Sequence, residues 1–212
     1  MHFHVNTMSF NAHAKVSTGT IQLSSHASPA ERTMRQRAQQ VTAYLAKHPV
    51  SNLLMTLTRN KNQNFVCYQA MLQKGGQCFM SSKPVDVFWL DIEPSYQEAA
   101  RRAGRTHDRC ELSWLERRHA FGVTTIRRGG SDTSPTEFVV GVVALPRRTF
   151  TMRIVNSVPR LIGTIAKQRA VLQRVHVNET SQLLGPKVES VFLIGNCLLS
   201  GRLLVEEVKK SA

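Results

Sequence analysis

Four consecutive residues carry most of the chemical character of this chain: Glu116, Arg117, Arg118 and His119, inside the stretch CELSWLERRHAFGV from Cys110 to Val123. On a helix, Glu116 and His119 lie one turn apart. A carboxylate acting as acid or base, an imidazole shuttling a proton and Arg117 holding an anion could then address one substrate, with Asp91 and Trp89 nearby. The same spacing supports an architectural reading. A Glu and an Arg at the end of a short helix pair with each other or with neighbouring strand ends, and His119 then marks the passage from helix to strand. The architectural reading takes precedence, so no catalytic residue is assigned; an enzyme built on this stretch would use Glu116, His119 and Arg117.

Other chemistry is sparse. The chain has no Gly-rich phosphate loop, nucleophile elbow, HExxH or paired CxxC motif. Cys67, Cys78, Cys110 and Cys197 are irregularly spaced and no secretory leader is evident, which points to reduced thiols in an intracellular compartment. Cys67 and Cys197 sit in apolar surroundings and read as inert core thiols. His2, His4, His13 and His26 lack carboxylate or thiolate companions, so neither a metal nor a cofactor is expected. No run approaches the roughly 18 apolar residues of a membrane span, and no membrane is expected as a partner.

The charge is informative. The 28 Lys and Arg face 14 Asp and Glu, a net charge of +14, and 19 of the 28 are Arg. Arg presents a planar fork of donors to phosphates and carboxylates, so the expected partner is acidic. Residues 1 to 85 hold nine Lys or Arg against the single acid Glu31, which makes the N-terminal portion the more electropositive.

The elements that position these residues follow from pattern. Residues 1–27 form an extended polar arm with too little apolar surface to fold alone. The arm is acid-poor and Ser-rich like a mitochondrial transit peptide but has no Arg before Arg32, and it is expected to be retained. A basic amphipathic helix follows over 28–48. Ser28 caps it, Pro29 opens it, Glu31 reaches back, Met34, Ala38, Val41 and Leu45 form one face, and Pro49 ends it. Residues 52–208 then read as a single β domain.

Within that domain, Leu53 to Thr58 and Phe65 to Ala70 flank a polar turn as a hairpin, and Val85 to Leu90 is a strand buried on at least one face. Ser95 with Glu98 starts a short helix ending at Gly104. Asp108 with Glu111 heads a second, running to Arg118, in which Leu112 and Leu115 face inward. Gly122 releases the chain into a strand from Val123. Phe138 to Leu145, apolar on both faces, is expected to be central, and Phe150 to Ile154 alternates. The sum is a mainly β fold: an antiparallel β-barrel or sandwich of about nine strands with two short helices.

These landmarks resemble a family of bacteria and unicellular eukaryotes described as a domain of unknown function. Arg59-Asn60-Lys61-Asn62 with Val66 and Tyr68 is similar to its first hairpin. Pro84-Val85-Asp86-Val87-Phe88-Trp89 is similar to its Pro-Val-x-Val-x-Trp strand. Leu115 to Gly122 is similar to its Glu-Arg-Lys-x-Ala-aromatic-Gly signature, with Arg118 where the family tends to have Lys. Pro186-Lys187-Val188-Glu189 and Gly195 look like its last long strand. The resemblance spans roughly Leu53 to Val208 and implies no catalytic residues; the arm and basic helix fall outside it.

Function then rests on charge. The chain is expected to be a non-catalytic component of a large intracellular assembly, docked on an acidic polymer through the arm and helix. A tubulin-like surface in a microtubule or flagellar axoneme wall ranks ahead of an RNA backbone, as in a mitochondrial ribosomal protein. A small-molecule enzyme or binder centred on Glu116 is the third reading. The contact residues expected are Arg32, Arg35, Arg37 and Lys47 on the helix and the pairs Arg101-Arg102, Arg127-Arg128 and Arg147-Arg148 in loops. Aromatics on the strands pack a core rather than forming a base-stacking platform.

Overall fold

The computed structural model describes residues 27–93, Glu98, Arg102 and residues 109–129, 137–182 and 185–209. The polar arm before Ala27, most of the expected helix from Ser95 to Gly104 (Arg101 included) and Asp108 lie outside the described residues.

Helix α1 (Pro29–Lys47) forms where its capping residues and apolar stripe place it. The Ser28 hydroxyl accepts the Glu31 amide at 3.2 Å, and the helix ends at His48, before Pro49. The Glu31 carboxylate pairs with Arg35 one turn on rather than reaching back to the cap. Met34 packs on Phe192 and Ile194, and Val41 packs on Phe65, Cys67, Phe88 and Leu90, so the helix lies across the outer face of the sheet.

The sheet has a spine and two wings. The spine is β9 (Gln168–Gln182), flanked along one edge by β10 (Gly185–Cys197) and then β11 (Leu203–Lys209). One wing runs through β1 (Leu53–Arg59), β2 (Asn62–Ala70), β3 (Val85–Leu90) and β4 (Arg109–Glu111). The other runs through β8 (Val158–Ile165), β7 (Thr149–Val155), β6 (Glu137–Val142) and β5 (Val123–Arg128). Both wings leave the same edge of β9: β8 pairs over Gln168 to Val171 and β1 over Arg174 to Val177. They curl toward each other as a half barrel. Leu57, Tyr68, Val87 and Trp89 of the first wing meet Phe138, Phe150, Met152 and Leu161 of the second in one core.

Among the described residues the sheet therefore has 11 strands, where the pattern suggested about nine. The pairing of β1 with β9 is parallel within an otherwise antiparallel arrangement. No tight hairpin joins these two strands, so nothing forces their directions to alternate. The first hairpin is tighter than expected, with Arg59 pairing Asn62 across Asn60-Lys61. Strand β6 is not central but next to the margin strand β5. Its Phe138, Val140 and Val142 are buried while Val139 and Gly141 are half-buried, so its outward positions are apolar without being covered. Strand β3 is buried on both faces because α1 covers the side away from the core.

Beneath α1 lies a buried polar layer. Arg174 donates to the Thr42 hydroxyl of the helix at 3.1 Å, and fully buried His176 shares a hydrogen bond with Thr58, Nδ1 to Oγ1, at 2.9 Å. Burial lowers the His176 pKa from 6.5 to about 4, with the charges of Arg37 and Arg174 acting the same way. The folded ring is thus neutral, and the unfolded chain takes up its proton first. Stability is unaffected by this group above about pH 6.5 and falls as pH drops from there toward 4, by up to about 3 kcal/mol. Urea titrations between those limits are expected to show the loss, and His176→Gln is expected to flatten it.

Candidate functional site

The two wings end in margins that do not pair with each other, β4 beside β3 on one side and β5 on the other. The chain crosses this opening from β4 to β5 through a single α-turn, Trp114–Glu116, that widens into a π-turn, Arg117–Phe121. Local sequence explains where the turn starts. Ser113 and Glu116 make a reciprocal capping box: the Ser113 hydroxyl accepts the Glu116 amide at 3.3 Å, and Glu116 Oε2 accepts the Ser113 amide at 2.8 Å.

This corrects the helix expected over Glu111 to Arg118. Arg109 to Glu111 are strand residues paired with Phe88 to Leu90. With the cap at Ser113, Leu112 stays buried before the turn, while Leu115 rotates outward and is 61% exposed.

Glu116 is fully occupied. Its Oε2 also accepts the Ser113 hydroxyl at 2.8 Å, and its Oε1 accepts the Trp89 indole N–H at 3.0 Å, which ties the crossing turn to β3. Burial alone would raise its pKa, but the Ser113 amide and hydroxyl, the indole and the charge of Arg59 outweigh it and hold the carboxyl below the ordinary glutamate value. A carboxylate so held is a poor proton acceptor. Arg117 donates from Nε to the Leu112 carbonyl at 3.2 Å, and exposed His119 meets the Trp114 ring edge-on at 6.4 Å. Among the described residues, no hydrogen bond or ion pair joins Glu116, Arg117 and His119 to one another, and no group of three or more His, Cys, Asp or Glu could hold a metal.

The π-turn is fixed from below. Buried Tyr68 donates its hydroxyl to the Phe121 carbonyl at 2.9 Å, and the Phe121 ring packs edge-on against Trp89 at 5.0 Å. The wide turn brings the Arg117 carbonyl so close that a Cβ on Gly122 would lie 1.8 Å from its oxygen. Only glycine fits there.

Arg59 lies 5.9 Å from the Phe121 ring centroid and grips Glu179 through two bonds of 2.8 Å. Asn60 bonds both the amide and the carbonyl of Glu179, and Asn178 reaches Glu189 at 3.4 Å. Arg59, Asn60, Tyr68, Trp89, Glu116, Phe121, Gly122 and Glu179, taken from four separate stretches of sequence, thus form a connected arrangement along the seam. Glu179 had no local signal, since it lies 120 residues from the Arg59 it pairs with.

The expected contact residues are dispersed. Arg32 is exposed and donates to the Ala27 carbonyl at 3.0 Å, and Lys47 is exposed in the last helical turn. Arg35 pairs with Glu31, and Arg37 donates to the Asn62 carbonyl and to Gln40, so these two guanidiniums serve the helix and its seat. Arg102 pairs with Glu98 at 3.1 Å. Arg127 and Arg128 are exposed on margin strand β5. Arg147 is exposed, and its neighbour Arg148 pairs with Glu206. The four cysteines are free thiols, and burial pushes Cys67 up to about 12.

The family model described as Domain of unknown function (DUF4833) matches residues 55–207. The chain belongs to that family. No curated protein and no solved structure matches it. The DUF4833 match takes in both wings, the spine and the seam, and it leaves α1 outside.

Two substitutions test the DUF4833 seam. Gly122→Ala forces the π-turn apart and is expected to cost roughly 3 kcal/mol or more in chemical denaturation. Tyr68→Phe leaves the Phe121 carbonyl without its buried donor and is expected to cost about 1 to 3 kcal/mol, with the native near-UV spectrum retained.

Proposed function

We propose that this DUF4833 protein is a non-catalytic docking component of a large assembly, seated by its basic surface on an acidic polymer. The observation that carries this reading is how the charges are partnered. Asp86 sits between Lys83 and Arg109, Glu179 is gripped by Arg59, Glu206 by Arg148 and Glu31 by Arg35. The acids are largely satisfied within the fold, while Lys47, Arg128, Arg147, Lys167, Arg169 and Arg202 are exposed without an ion pair among the described residues. Such an excess steers the chain toward negative surfaces and weakens with salt. The occupied Glu116 carboxylate removes the strongest motive for an enzyme reading.

A protein wall, tubulin-like, ranks ahead of an RNA backbone. Trp114 is 64% exposed beside exposed Leu115, with the Arg118 guanidinium 5.2 Å from the indole centroid. Trp and Arg are the residues that most often anchor protein interfaces, and a leucine has no π-face for a base.

Co-sedimentation of the full chain with polymerised tubulin, with ribosomal RNA as comparison, tests the proposal. Binding to microtubules at low salt that is lost at high salt is expected, and the double reversal Arg32→Glu with Lys47→Glu is expected to weaken it by about tenfold. A chain that stays in the supernatant at low salt, or prefers the RNA, contradicts it.

A further inference from the structure

Three turns gather at one end of the sheet: residues 143–148 between β6 and β7, Ala166-Lys167 between β8 and β9, and Leu198 to Arg202 between β10 and β11. Cross-turn bonds hold them together. The Leu198 amide donates to the Arg169 carbonyl at 2.9 Å, and Arg148 reaches the Thr164 carbonyl at 3.3 Å. Arg148 also pairs with Glu206, whose other oxygen accepts the Ala166 amide at 2.8 Å. Arg147, Lys167, Arg169 and Arg202 are exposed around this end, and Glu206, the carboxylate that reaches these turns, is already engaged.

At the tip stand two leucines. Leu199 is 97% exposed and Leu198 41%. Their position is built by the backbone. The Gly201 amide closes the turn onto the Cys197 carbonyl at 2.9 Å, the Cys197 amide donates to the Arg202 carbonyl at 2.9 Å, and Gly201 takes a φ of +66° suited to glycine. The fold thus holds an aliphatic tip out into solvent inside a ring of cations.

We propose that this end of the sheet is a peripheral docking surface for an anionic lipid bilayer. Leu198 and Leu199 enter the boundary between headgroups and acyl chains, and Arg147, Lys167, Arg169 and Arg202 lie on the charged headgroups. Charge complementarity selects an anionic surface. The residue type at the tip selects lipid over protein, because leucine is under-represented among the anchors of protein interfaces, whereas an aliphatic point within a basic rim suits the interfacial layer. Among the described residues no helix is long and apolar enough to cross a membrane, and a surface contact needs none. These four cations also count toward the basic surface proposed above, and the aliphatic tip is what this inference adds.

Sedimentation of the full chain with phosphatidylcholine vesicles, with and without phosphatidylserine, tests it. The wild type is expected to partition onto the phosphatidylserine vesicles only. Leu199→Glu alone, and Lys167→Glu with Arg169→Glu, are each expected to reduce partitioning about tenfold or more at an unchanged melting temperature, since all three side chains are exposed. A wild type that ignores phosphatidylserine vesicles overturns the proposal, as does a Leu199→Glu variant that binds them like the wild type. Loss of tubulin sedimentation in Lys167→Glu with Arg169→Glu, when the wild type ignores vesicles, also overturns it by assigning the same end to a protein partner.

Discussion

The Glu116 carboxylate is the hinge pin of this fold. A sheet whose two wings leave the same edge of one strand must meet again on the far side to enclose a core, and here the margins β4 and β5 do not pair. The crossing turn supplies the missing link. Glu116 closes its own capping box on Ser113 and, with its other oxygen, holds the Trp89 indole of β3, where the Phe121 ring that leads into β5 also packs. A buried indole N–H and a half-buried carboxylate each need a partner, and each satisfies the other. Tyr68 and Gly122 complete the arrangement, one by donating to the π-turn and the other by leaving room for it.

On the outer face, α1 does for β2 and β3 what the second wing does for the inner face. Its apolar stripe buries Phe65, Cys67, Phe88 and Leu90, and the polar strip of Thr58, Arg174 and His176 is covered by the same helix. Two of the arginines that make the helix look basic, Arg35 and Arg37, are drawn into this packing. The unpaired surface charge therefore lies less on the helix, where Arg32 and Lys47 remain exposed, than its composition suggests, and more on Arg128 of the β5 margin and the gathered turns at Lys167 and Arg202.

Much of the fold was legible because its signals are local. Ser28, Pro29 and Pro49 bracket α1, alternation marks β7, and the mostly buried run of β3 reflects its two covered faces. What depended on distant pairing was not. Asp108 to Glu111 read as the head of a helix over Glu111 to Arg118, and the strand Arg109 to Glu111 went unread because its partner lies about 20 residues back, across a stretch with its own helix signal. Leu115 read as core because helical spacing from Leu112 was assumed, whereas the cap sits at Ser113. The seam itself was half legible: Glu116 and Trp89 were both singled out, but their partnership across 27 residues has no periodic trace. The gathering of Arg147, Lys167, Arg169 and Arg202 follows only from the ladder registers.

Glu116 held in this way ties the signature stretch into the seam. A double-mutant cycle in urea between Trp89→Phe and Glu116→Ala measures the link directly. Coupling of about 1 to 3 kcal/mol between the two positions is the predicted result. Additive losses would show that the indole and the carboxylate do not hold the crossing turn to β3 and would return Glu116 to consideration as a reactive group.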